Sequence, residues 1–192
     1  MRLRNLPAPR SRGSSLVETL VATALGLLVL VMTTNSTLAV VVGESHGATT
    51  KALMKTVEFA RAEAAQRRSP VAVCGLDPRD ANAASGQVHC ADPGSAWSAG
   101  WIVFGDDNLN GELDDGEAVL QVNRGAEQLA VFPEANLAAS AAITFRPIGT
   151  LASATPRRLL IGPESAQGGP NQAVCVAIDG FARVLPVGTT CQ

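Results

Sequence analysis

Between Asp106 and Glu117 the chain reads Asp106-Asp107-Asn108-Leu109-Asn110-Gly111-Glu112-Leu113-Asp114-Asp115-Gly116-Glu117. Oxygen-bearing side chains fall at positions 1, 3, 5 and 9 (Asp106, Asn108, Asn110, Asp114), with glycine at 6, leucine at 8 and Glu117 at 12. This is the order of the calcium loop, whose position 7, here Glu112, contributes a backbone carbonyl. Calcium needs about six to eight hard oxygens, and this spacing winds them round one point. The flanks are wrong for a helix-loop-helix site, because Trp101–Phe104 and Ala118–Val122 read as strands. The loop is therefore expected at the tip of a β-hairpin. The competing reading is a turn whose Asn and Asp side chains cap their own backbone.

Cys74, Cys90, Cys175 and Cys191 are the second group capable of chemistry. An even count in an exported domain points to disulfides, and four cysteines allow three pairings. The two local pairs, Cys74 with Cys90 and Cys175 with Cys191, have equal spacing and are favoured. Each bridge would remove loop entropy worth about 3 kcal/mol. Zinc is the functional competitor, but there is no Cys-x2-Cys spacing, and His46 and His89 lie far apart. Nor is there a glycine-rich phosphate loop, a Gly-x-Ser-x-Gly turn or a histidine in a triad setting. The expectation is a protein that is not an enzyme.

These residues need elements to position them. From Val71 onward, short β-like runs alternate with Gly, Pro, Asn and Asp clusters: Val71–Cys74, Trp101–Phe104, Ala118–Val122, Leu129–Phe132, Ile143–Arg146, Leu159–Ile161, Ala173–Ile178 and Arg183–Leu185. Residues 81–85 and 162–171 read as mobile loops. Before them, 51–68 carries Leu53, Met54, Val57, Ala60, Ala64 and Ala65 at helical spacing, an apolar stripe for a domain to cover. Ser69-Pro70 ends that helix. A long helix packed on an antiparallel sheet is the α+β outcome.

The N-terminus explains a mean hydropathy of +0.18 and a charged fraction of only 17%. Residues 1–13 hold four arginines and no acid, leaving 11 of the 15 basic residues against all 17 acids in the remainder. From Leu16 to Val42 the sole ionisable residue is Glu18. That run reaches the roughly 20 residues a membrane-spanning helix needs, and the arginines before it place the N-terminus in the cytoplasm. A cleaved secretory signal would need a short apolar core before its cleavage site, yet Ala22-Thr23-Ala24 lies inside the run. A plain signal anchor leaves the carboxylate of Glu18 unexplained, since a charge there costs free energy and marks function. A helix from Ser14 to Arg68 would be about 80 Å long, weakened midway by Gly43 and Gly47.

Gly13-Ser14-Ser15-Leu16-Val17-Glu18 ahead of an unbroken apolar helix resembles a type IV prepilin signal. The resemblance implies cleavage between Gly13 and Ser14 by a prepilin peptidase, followed by methylation of the new N-terminus. Most members carry Phe where this chain has Ser14. Glu18 would be the fifth mature residue, whose carboxylate neutralises the amine of a neighbouring subunit in the filament core. The implied organisation is a leader over 1–13, a transmembrane and filament-core helix over 14–42, its amphipathic continuation over 43–69 and an exported β-rich domain over 70–192. The subunit would sit in the inner membrane as a single-pass protein with a periplasmic C-terminal domain, and later in a pilus or pseudopilus.

The exported part carries a second resemblance. Trp97-Ser-Ala-Gly100-Trp101-Ile-Val-Phe104-Gly-Asp106, running into the Asn/Asp/Gly loop and a Gly-Glu before an apolar strand, looks like the GspH/FimT branch of pseudopilins and minor pilins. It implies a pilin-like fold and gives weight to a structural hairpin over calcium. It also implies a minor pilin that primes or caps a type IV pilus, with a type II secretion pseudopilin as the close alternative. The implied partners are other pilins or pseudopilins, the prepilin peptidase and the inner-membrane assembly platform. Some FimT-type proteins bind DNA through a C-terminal Gly-Arg-x-Arg motif. Here Gly180-Phe181-Ala182-Arg183 lacks the first Arg, and only Arg157, Arg158 and Arg183 could face a phosphate backbone. The acidic body argues against that use.

Overall fold

The computed structural model describes residues 16–82, 87–125, 129–133, 142–163, 170 and 172–192, the side chains of 26–46 excepted. Most of the expected loops over 81–85 and 162–171 lies outside the described residues. The chain divides into two compact units, Met1–Val42 and Gly43–Gln192.

Helix α1 runs from Leu16 to Arg67. In the first unit, the side chains of Leu16, Val17, Leu20, Val21 and Leu25 are all more than half exposed. The expected membrane segment over 14–42 falls largely on residues outside the side-chain description, and among the described residues no helix is long and apolar enough to cross a membrane.

In the second unit the helix buries one stripe. Leu53, Val57, Ala60 and Ala64 are fully buried at spacings of three and four, so one face meets the sheets. Ala65, counted in the stripe from the sequence, is instead exposed, one position round from Ala64. The helix stops where Arg68 turns to a left-handed φ of 56° ahead of Ser69-Pro70.

Among the described residues eight strands follow: β1 (Val71–Gly75), β2 (Gly100–Gly105), β3 (Val119–Arg124), β4 (Leu129–Pro133), β5 (Ile143–Phe145), β6 (Arg157–Pro163), β7 (Gln172–Val176) and β8 (Ala182–Pro186). They form two antiparallel four-stranded sheets, ordered β3-β2-β1-β5 and β4-β6-β7-β8, where one sheet was expected. The inward face of each contributes to a core with the helix stripe: Val71, Val73, Trp101, Val103, Ile143 and Phe145 from the first, Val131, Leu159, Ile161, Val174 and Val176 from the second.

The outer face of the first sheet is covered as well. Ala72, Cys74, Leu76, Ile102 and Phe104 form a second cluster, against which Val88, Cys90, Ala99 and Leu113 pack. Covered on both faces, β1 is buried at every position and reads Val-Ala-Val-Cys-Gly rather than alternating with polar residues. Apart from Leu113 of the β2–β3 loop, these covering residues come from the segment between β1 and β2, held by a disulfide between Cys74 and Cys90 with Cα atoms 5.6 Å apart. A second disulfide, Cys175 to Cys191, ties the C-terminal tail to β7.

Candidate functional site

Glu18 lies in the first turn of α1, where a carboxylate also complements the positive end of the helix dipole. Val17, Val21, Ala22 and Leu25 line an open, almost wholly apolar surface beside it. Gly13 and Ser14, the expected cleavage and methylation positions, lie outside the described residues.

The acidic loop closes the β2–β3 hairpin, as its flanks require. Three side chains bind the backbone just ahead of them. Asp106 Oδ2 accepts the Gly111 N–H at 3.1 Å, Asn108 Oδ1 the Asn110 N–H at 3.0 Å, and Asn110 Oδ1 the Glu112 N–H at 2.8 Å. Gly111 takes φ 72°, a conformation that costs a glycine nothing. Asn108 Nδ2 and Asn110 Nδ2 both donate to Asp114 Oδ2, at 2.8 and 2.7 Å. Glu117 accepts from the backbone N–H of Asp107 and of Asp114. Asp106 is buried, its N–H on the Pro70 carbonyl and its Oδ2 also accepting the Thr144 hydroxyl at 2.9 Å. Leu113 packs on the outer cluster, so the loop is anchored at both Asp106 and Leu113. Among the described residues, no group of three or more His, Cys, Asp or Glu side chains is gathered as a metal centre.

The arginines considered for DNA do not make one patch. Across the second sheet, Arg158 pairs with Cys175 and Cys175 with Arg183, which puts Arg158 and Arg183 on one face. Arg157 is next in sequence to Arg158 and so points to the other face, with the core residues Leu159 and Ile161. Burial lowers the pKa of Arg157.

The structure adds contacts that the sequence did not announce. Trp101, in the aromatic motif, donates its indole N–H to the Thr56 hydroxyl on α1 at 2.9 Å, and Asn123 donates to the same oxygen. Gly100 sits at φ 117°, where a Cβ would come within 2.0 Å of the Asn123 carbonyl. The motif therefore docks the helix onto the first sheet. Arg61 donates to the Gly149 carbonyl at 2.9 Å and stacks over the Phe181 ring at 3.9 Å. These residues edge a groove of about 470 Å³ beside Glu58 and Ile148. Asp77, nearly buried, accepts from the side chain and backbone N–H of Arg79, which holds its pKa down to about 2. Its signal was the Asp-x-Arg spacing, legible only once the 3-10 turn Pro78–Asp80 brings the two together.

A long helix with one stripe buried against antiparallel sheets is a pilin-like fold. The sequence model for the type II transport protein GspH matches residues 49–180, most of the chain, and the chain belongs to that family. Two crystal structures of the type IV minor pilin FimU from Pseudomonas aeruginosa (strain PAO1) are similar in fold. One is 18% identical, over 76% of this chain and 99% of that one, with a TM-score of 0.49; the other is 19% identical, over 76% and 94%, with a TM-score of 0.50. No curated protein matches the sequence. The role of the chain is structural, that of a pilin-like subunit.

Proposed function

We propose that the chain is a minor pilin, a low-copy subunit that helps to prime or cap a type IV pilus. The observation that carries this reading is the first unit's surface. A single carboxylate, Glu18, stands among Leu16, Val17, Leu20, Val21 and Leu25, all exposed in the isolated chain. Such a surface needs cover, from lipid before assembly and from neighbouring helices after it. In that low-dielectric setting Glu18 requires a positive partner, and the freed N-terminal amine of an adjacent subunit supplies one. Release of that amine needs cleavage after Gly13. The arginines ahead of it then leave, while the helix stays in the inner membrane with its domain in the periplasm.

Replacing Glu18 with Ala tests the role directly. The variant is expected to be cleaved normally and to be depleted several-fold from sheared pilus preparations. Equal amounts of both forms in the filaments would remove the role given to Glu18. The second reading is a minor pseudopilin of a type II secretion system, supported by the description of the matching family. Deletion separates the two. A pilin's loss lowers surface piliation, and a pseudopilin's loss blocks release of secreted proteins with piliation intact.

A further inference from the structure

We propose that residues 106–117 form a binding site for one calcium ion at the tip of the β2–β3 hairpin. The proposal is independent of the filament reading. Its first support is Asp106, which is 0% exposed. Its Oδ2 accepts the Gly111 N–H of the loop and the Thr144 hydroxyl. Its Oδ1 is buried and has no hydrogen-bond partner. A buried carboxylate oxygen without a donor is costly, and a hard cation would satisfy it without any new side chain.

The second support is the set of oxygens beside it. Asn108 Oδ1 and Asn110 Oδ1 are each fixed by one backbone N–H, and an amide oxygen keeps a second lone pair. Asp114 is drawn against both amides. The Glu112 carbonyl stands at position 7 and Glu117 at position 12. An all-oxygen set suits calcium, not the softer transition metals.

The carboxylates of the loop are not collected at one point. The two amide groups occupy Asp114 Oδ2, and two backbone N–H groups occupy Glu117. Calcium would displace those donors, drawing Asp114 and Glu117 inward while Asp106 stays in place. That rearrangement, and neutral Asn at positions 3 and 5, put the affinity at the weak end, with Kd about 10⁻⁴–10⁻³ M.

Calorimetric titration of the full chain in detergent, first stripped with a chelator, tests the site with calcium chloride and with magnesium chloride as the control. The expected result is one calcium per chain, a Tm raised by calcium, and no comparable heat from magnesium. Glu117→Gln and Asp114→Ala should each weaken binding at least about tenfold while the far-ultraviolet circular dichroism is unchanged. Absence of heat at roughly ten times the weakest expected Kd overturns the proposal. So does an unaltered Kd in both variants with the fold intact.

Discussion

Among single residues, Trp101 and Asp77 make the sharpest demands. Trp101 fills the core with its ring and fastens the helix with its N–H to Thr56. Trp101→Phe keeps most of the ring and loses the hydrogen bond, while Thr56 keeps Asn123 as a donor. The expected cost is about 1 kcal/mol, read by denaturant unfolding. Trp101→Ala should cost about 3 to 5 kcal/mol, since it also leaves a cavity. Asp77 sets a pH dependence. Its pKa lies below the ordinary value of 3.8, so the folded state favours the ionised form. The stabilisation is therefore present above about pH 4 and lost as pH falls towards 2. Thermal unfolding should show Asp77→Asn below the parent at neutral pH, with the gap closing in that window. A constant gap would mean that Arg79 is not its cause.

The elements show what the sequence could and could not specify. Each disulfide restrains a segment with little core of its own, the cover over the first sheet and the C-terminal tail. Replacing Cys175 and Cys191 together by Ser should lower stability by about 3 kcal/mol in the loop-entropy picture, with a fall in Tm as the readout. Apolar runs flanked by turn residues located the eight strands of the described residues within a residue or two, because each run must cover a core. The division into two sheets was not legible. Periodicity says which residues face inward, not which strand a neighbour will choose. Here β5 returns to pair with β1, while β4 leaves its predecessor to pair with β6. The strand-like flanks placed the acidic loop correctly at a hairpin tip, but Asp106 is also held by Pro70 and Thr144, distant in sequence. Arg61 and Phe181 were missed for the same reason, a contact made between the helix and a far turn.

For the whole molecule, the sequence divides as its chemistry does. The second unit folds round the second half of α1 and holds the residues that match the GspH family. The N-terminal part carries exposed apolar side chains beside one carboxylate, Glu18. In the proposed reading, cleavage after Gly13 prepares the chain for a filament, so the N-terminus is where that reading is tested. Mass spectrometry of the chain from wild-type cells and from cells lacking the prepilin peptidase reads it directly. The expected result is a protein beginning at Ser14 in the wild type and one retaining residues 1–13 in the mutant. The same uncut N-terminus in both strains would contradict it.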